Sequence, residues 1–548
     1  MTEAPEHAAG PAPAGGEVPE GGGTLARRAG VVGLGILTSR VLGLARDMVF
    51  AARFDAAATD LFFVAFTIPN ALRQILGEGA VSSAVVPVFS EVRARDGLDE
   101  ARRFHARITA VLGLVLVAVS GLGALAAPGL ALLYGAGYLS APARFATLVE
   151  LTRVLFPYLA FVGLAALGMG GLNALRRFAV PAFAPALLNV ALIAAAFVGI
   201  APALALGLPP VGALALGALV GGALQVLVQV PALRAAGLAR APRRPLWDRR
   251  VAQVFRLMVP LLAGLGIYQV NVMLGRLLAS FLPAGAQTYL YYTQRLVEVP
   301  QGMFALAIAA AALPTLSDLS QRGDAAEVRR VFREALGLVL FLAVPSTAVL
   351  MVLAEPIVTV LLARGAFDRA EALATAHALV VQAAGVWAIA SVRVVVPMFQ
   401  AHQDTRSPVV ASGVNLVVFL VVALTAMRSL AHVGIALAIS CAGVAQLGAL
   451  LGLLRRRVGP LGLRPLLGRG VRLALASAAL GGAQWAIARL GRWEAGGNAP
   501  WNIAVLVLAL VVGGAVFLLL AWLLRVPELG TLARGLRRPG RGSRASGR

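Results

Sequence analysis

The sequence predicts an all-α polytopic membrane protein of about fourteen transmembrane helices, built as two six-helix lobes in a parallel repeat plus two C-terminal helices. Three observations carry this. The 548 residues are 59% hydrophobic and 13% charged, with a mean hydropathy of +0.83, whereas ordinary soluble domains carry about 25% charged residues. Apolar spans of about 20 residues, the length that crosses a bilayer as a helix, recur from Val31 to Leu524. The segment Ser90–Arg103 aligns with Ser317–Arg330, 227 residues later, and the same offset joins Pro87 to Pro314 and Pro181 to Pro408.

Taken in order, the first span (30–52) follows Arg27 and Arg28 and contains Arg40, Gly43, Arg46 and Asp47. The second (59–90) holds Asp60, Arg73 and Glu78, and is interrupted by Pro69-Asn70 and by Gly77 and Gly79 on either side of Glu78. Glycine is a poor helix former, so Gly43, Gly77 and Gly79 are hinge candidates. Spans 105–127, 149–173, 181–203 and 210–235 complete the first copy. The second copy comprises 250–282, then 286–317 with Arg295 and Glu298 at i, i+3, then 331–354, 372–400, 408–427 and 432–454. Two further spans, 467–490 and 499–524, fall outside the repeat. The expected divisions are a disordered cytoplasmic tail (1–24), an N-lobe (25–236), a C-lobe (237–457), the added pair (458–526) and a basic tail (527–548). No small-residue cleavage pattern closes the first span, so no cleavable signal is expected.

The net charge of +23 comes entirely from arginine, with no lysine. Most arginines cluster at the exits of even-numbered spans, such as Arg93–Arg107 and Arg455–Arg472. That periodic bias assigns those exits and both termini to the cytoplasm. It argues for anionic lipid and against nucleic acid as the partner of the basic segments. Cys441 is the lone cysteine and the five histidines are scattered, so neither a disulfide nor a metal cluster is expected. No phosphate-binding loop or nucleophile–base pattern is present. Transport, without ATP chemistry, would use an ion gradient, the membrane potential or the substrate gradient.

The intramembrane charges need an explanation. An arginine keeps its proton, and each one at mid-depth costs at least roughly 2.5–3.5 kcal/mol unless it faces a partner, a ligand or water. On a helix Arg40 and Asp47 share a face, whereas Arg46 points about a third of a turn away. Structural pairing with Asp47, Glu78 and Glu298 is one reading. Arginines contributed by both copies suit a multiply charged anion such as a diphosphate. Arg276, near a helix end, is expected to snorkel to the interface. Gln225, Gln229, Gln269 and Asn271 are expected to bond between helices.

Several motifs together resemble the MurJ (MviN) family of lipid II flippases, in the multidrug/oligosaccharidyl-lipid/polysaccharide exporter superfamily. They are Ser39–Asp47, Ala58–Arg73 with Gly77–Ala80, Asn173 with Arg177-Phe178, Pro181–Asn189, Arg295–Pro300, Leu362–Asp368, and Phe399 with Asp404–Pro408. The resemblance spans about residues 25–525. It implies a multi-pass protein of the bacterial inner membrane that moves undecaprenyl-diphosphate-linked peptidoglycan precursor between leaflets, and not an enzyme. Cavity arginines matching Arg40, Arg46, Arg73 and Arg295 would bind substrate. Asp47, Asp60, Glu78 and Glu298 would be their acidic partners. The two added helices would form a groove for the lipid tail, and the cell-wall synthesis machinery is a candidate partner. Another polyprenyl-diphosphate-linked oligosaccharide, of O-antigen type, is the alternative cargo. The chain departs from some relatives in having Gln294 where they have an acid. It also lacks an acid in the seventh span, so Asp404 stands alone where sodium-site relatives have more.

Overall fold

A computed structural model describes residues 22–75, 81–242, 245–301, 306–322 and 324–530. The N-terminal half contains α1 (Gly22–Arg53), α2 (Ala56–Ile75), α3 (Val81–Leu125), α4 (Ala127–Gly135), a 3₁₀ turn at Ala136–Ser140, α5 (Pro142–Leu155), α6 (Tyr158–Ala174), α7 (Ala179–Phe183), α8 (Ala186–Val198), α9 (Ile200–Ala205), α10 (Gly212–Leu227) and α11 (Val230–Ala235). The C-terminal half contains α12 (Arg249–Ser280), α13 (Ala286–Pro300), α14 (Leu306–Gln321), α15 (Ala325–Val352), α16 (Ala354–Leu362), α17 (Arg369–Ala383), α18 (Val386–Ala401), α19 (Arg406–Leu430) and α20 (His432–Val458). Last come α21 (Arg464–Ala488) and α22 (Pro500–Leu523).

Local chemistry sets many of these boundaries. Asp248 and Asp324 cap α12 and α15 by accepting from Val251 N–H (2.8 Å) and Glu327 N–H (3.1 Å), and Asp368 with Glu371 forms a capping box on α17. The 45-residue α3 joins the end of the second expected span to the third, and its backbone leaves helical geometry at Gly97 (φ 85°), a conformation cheap for glycine alone. The tenth expected span is a broken pair, α17 and α18, bent by 46°.

Among the described residues, nine helices are long and apolar enough to cross a membrane, ten with the bent pair. The expected fourteen is not reached on that criterion among the described residues. The remaining expected spans correspond to α1, α2 with the start of α3, α12, and α13 with α14.

The largest core cluster contains residues of both halves, among them Phe50, Phe62 and Phe63 with Tyr292, Phe367 and Val386. A second cluster lies within the N-terminal half but includes Val251, Val254 and Met258 of α12. The inner-sequence end of α12 is further tied to α3 by Arg107–Asp248 (2.7 Å) and Arg250–Glu100 (3.5 Å). Helices α21 and α22 pair with each other and pack on α15 and α16. An apolar cavity of about 520 Å³ opens between α15 and α21, lined by residues including Val344, Met351, Ala474 and Trp485.

Two polar expectations meet different outcomes. Gln229 donates to Ala165 O (3.2 Å) and Asn271 to Asn415 (3.2 Å), both across helices as expected, although Gln225 bonds Gly221 of its own helix. Arg276 does not snorkel. It donates to the carbonyl and side-chain oxygens of Gln287 (3.3 and 3.1 Å), because α13 brings those acceptors within reach.

Candidate functional site

Four helices build the site: α1, α8, α13 and α17. Arg46 on α1 is 7% exposed and Asp47 beside it 1%. The expectation that Arg46 points away from Asp47 is corrected by its long side chain. Its guanidinium folds back, donating from Nε and Nη2 to Asp47 Oδ1 (3.0 and 2.6 Å). Nη1 donates to Asn189 Oδ1 of α8 (3.1 Å), and Nη2 to the Tyr291 hydroxyl of α13 (2.8 Å). These bonds engage most of the five guanidinium N–H groups, which is what a buried arginine requires. Asn189 in turn donates to Ser39 O (3.1 Å), fixing its amide beside α1.

Arg295 is the contrasting arginine. Its side chain is 39% exposed, with Nε 3.5 Å from Asp47 Oδ2 and Nη1 3.6 Å from Glu298. Asp47 therefore holds one arginine from each half of the chain. Gly43 makes this approach possible: a Cβ there would lie 2.7 Å from Arg295 Nη2. Gly43 packs closely against Arg295 within an unbroken helical stretch of α1. Gln382 of α17 donates to Gln294 (2.5 Å), which donates to Glu298 (3.2 Å), so a pair of amides steers the second carboxylate.

The other expected residues are distributed around this centre. Arg40 is exposed on α1. Arg73 donates to Asn70 (3.0 Å) near the end of α2, and it acts electrostatically, with Arg46, on the buried Tyr158 hydroxyl. Glu78, Gly77 and Gly79 lie outside the described residues. Asp60 is not a partner of these arginines, which corrects the expectation. Its carboxylate accepts from Gly285 N–H (2.7 Å) and Thr288 N–H (2.8 Å) at the start of α13, with Arg144 3.5 Å away. It is a helix cap supplied by the opposite half of the chain.

That cap belongs to a second zone of contact, at the Arg53 end of α1. Ala56 N–H donates to Glu371 (3.0 Å), and Thr59 and Thr288 share a hydroxyl bond (3.0 Å). The backbone of Ala366 and Phe367 donates to Ala52 O and Ala51 O (3.2 and 2.9 Å). Gly365, at φ 59°, lies against the Ala52 backbone where a side chain would collide. Gly365→Ala is expected to loosen this zone, read as a lower thermal-unfolding midpoint of the purified protein; an unchanged midpoint would refute the close approach.

Asn189, Tyr291, Gln382, Arg144 and Glu371 were not among the expected site residues. Only Asn189 carried a signal, as a polar residue in an apolar span within the Pro181–Asn189 motif.

A family model described as lipid II flippase MurJ matches residues 50–496. The chain is 34% identical over 505 residues to a probable lipid II flippase MurJ of Haemophilus influenzae, covering 88% of this chain and 98% of that one. It is 36% identical over 387 residues to the lipid II flippase MurJ of Burkholderia cenocepacia, covering 70% and 74%. Among solved structures, a lipid II flippase MurJ in an inward closed conformation is similar at TM-score 0.72 and 22% identity, covering 92% and 99% of the two chains. An inward-facing multidrug resistance MATE transporter is similar at TM-score 0.61 and 16% identity, covering 78% and 96%. At these identities the structural likenesses show the fold.

Proposed function

Because the chain belongs to the lipid II flippase MurJ family, we propose that it carries lipid II across the bacterial inner membrane by alternating access, with the Arg46–Asp47–Arg295 centre as its head-group site. It is a multi-pass transporter and not an enzyme. The observation that carries the site assignment is Asp47 shared between Arg46 and Arg295 (2.6 and 3.5 Å), one from each half of the chain.

The two arginines divide the work. Arg46, buried and engaged on four bonds, organises the site and supplies fixed positive charge. Arg295, half-exposed and held by longer contacts, is the one free to turn to a diphosphate, while the exposed Arg40 lies about two turns from Asp47 along α1. A diphosphate offers more acceptor oxygens than Asp47 and Glu298 give to Arg295, and bidentate charge-assisted bonds favour the exchange. Cargo that draws Arg295 off Asp47 weakens the link between the halves and frees them to rearrange. The zone around Asp60 would be the outer closure, with both termini cytoplasmic as the arginine bias requires. In this reading residues 25–236 and 237–457 move as lobes, although the start of α12 packs with the first. The cavity beside α21 would receive the lipid tail, and cell-wall enzymes would take the delivered precursor.

Asp404 does not suit a cation site. It accepts from Arg406 N–H and Ser407 N–H (both 3.0 Å) and pairs with Arg457 (2.7 Å). The Ser407 backbone bond first, then the Ser407 hydroxyl, hold its carboxyl below the ordinary range. This speaks against sodium at Asp404, and the membrane potential, worth about 2.3 kcal/mol per charge per 100 mV, is the drive we propose.

The test is outer-leaflet lipid II in a depletion strain and in liposomes. Arg295→Ala is expected to reduce flipping roughly 10–100-fold, the worth of a charge-assisted hydrogen bond. Full flipping by both Arg46→Ala and Arg295→Ala would end the site assignment. Translocation that follows sodium and ignores an imposed potential would end the drive assignment.

A further inference from the structure

We infer that the Tyr291 hydroxyl is a cargo-binding group, donating its proton to an anionic oxygen of the transported head group. The inference rests on the flippase reading and adds to it a residue that is neither charged nor part of the arginine set.

Three observations lead there. Tyr291, Arg295 and Glu298 stand at i, i+4 and i+7, so they line one face of α13. Tyr292, one position on, instead turns into the core against Phe367. Next, the Tyr291 oxygen accepts from Arg46 Nη2 (2.8 Å), which leaves its proton to be donated elsewhere. Among the described residues, no acceptor takes that proton. Finally, the ring is fixed: it stacks on Phe63 at 3.8 Å between centroids and 16° between planes. The hydroxyl is thus held within the field of Arg46, Asp47, Arg295 and Glu298 without being free to swing away.

The chemistry follows from hydrogen-bond polarisation. A hydroxyl that accepts from a guanidinium becomes a stronger donor, because the two bonds reinforce each other in a low dielectric. Arg46 is too buried and too committed to reach an anion itself. Through Tyr291 its charge is presented as an O–H donor on the same helix face as Arg295. A diphosphate or monophosphate oxygen bound to Arg295 is the acceptor this arrangement fits. A neutral sugar hydroxyl would gain much less, since bonds to charged groups are the stronger ones.

The experiment measures lipid II binding to full-length protein in lipid nanodiscs for the wild type and Tyr291→Phe. The variant keeps the ring stack and removes only the hydroxyl. The expected result is about tenfold weaker binding, with the melting temperature lowered only by the loss of one acceptor to Arg46. Affinity within about twofold of the wild type would overturn the inference, while wild-type binding in the same assay keeps the flippase reading intact. A wild type that fails to bind lipid II would overturn both. To separate a donor from a mere prop for Arg46, 3-fluorotyrosine is placed at 291. Fluorination acidifies the hydroxyl, making it a better donor and a poorer acceptor. Tighter lipid II binding supports the inference, and weaker binding assigns the hydroxyl to holding Arg46 and overturns it.

Discussion

Asp47→Ala is expected to destabilise the protein by about 3–5 kcal/mol, the cost of removing one partner from a buried ion pair. Asp47 is 1% exposed, receives two bonds from Arg46 and lies 3.5 Å from Arg295. Without it the Arg46 guanidinium keeps only the neutral acceptors Asn189 and Tyr291. Asp47→Asn has the same size and retains one acceptor oxygen, so it is expected to recover part of the loss. Thermal unfolding of the purified protein in one detergent measures the series. If the alanine variant melts with the wild type, Arg46 has another carboxylate partner and the centre is misassigned. The same substitution is expected to abolish flipping even at temperatures where the variant stays folded, since Arg295 loses its anchor in the opposite half.

Asp60→Ala is expected to open the closure at the Arg53 end of α1. Its two carboxylate oxygens take the Gly285 and Thr288 N–H groups at the start of α13 (2.7 and 2.8 Å), and no other described side chain does so. Loss of a cap costs about 0.5–2 kcal/mol, and here the cap also joins the halves. That is enough to shift a balanced two-state equilibrium by roughly 2- to 30-fold. The readout is labelling of a cysteine placed at Ala57 by a membrane-impermeant thiol reagent, in a Cys441→Ser background. Faster labelling in Asp60→Ala than in the parent is the expected result. Equal rates would show that the Phe367 and Glu371 contacts close this end unaided.

The two variants report on different parts of one cycle. Asp47 is the link that cargo can compete for, since an anion and a carboxylate use the same arginine donors. Asp60 binds backbone N–H groups, which cargo held by the arginines would not displace. Asp47 variants should therefore lose the response to lipid II, whereas Asp60 variants should shift the resting position in its absence.

Much of this architecture was legible in the chain. Span lengths, the arginine bias and the 227-residue repeat follow from composition and spacing, which act locally and add along the sequence. Arg46 and Arg295 stood out as candidates too, because an unpaired guanidinium in an apolar span is costly wherever the helix ends up. Asp60 looked equivalent to Asp47 for the same reason, yet one pairs with arginines and the other caps a helix.

What sequence alone determined is that this is a many-spanning helical protein of this family with charges inside its apolar spans, Arg46 and Arg295 among them. Tertiary structure decided the partners: Asn189 from α8 and Tyr291 from α13 on Arg46, Arg295 across Gly43 on Asp47, and α13 on Asp60. The physical reason is range. Hydropathy is a property of each residue with its neighbours, whereas a hydrogen bond needs two groups within about 3 Å. Which groups meet at that distance is set by how helices more than a hundred residues apart in the chain pack together.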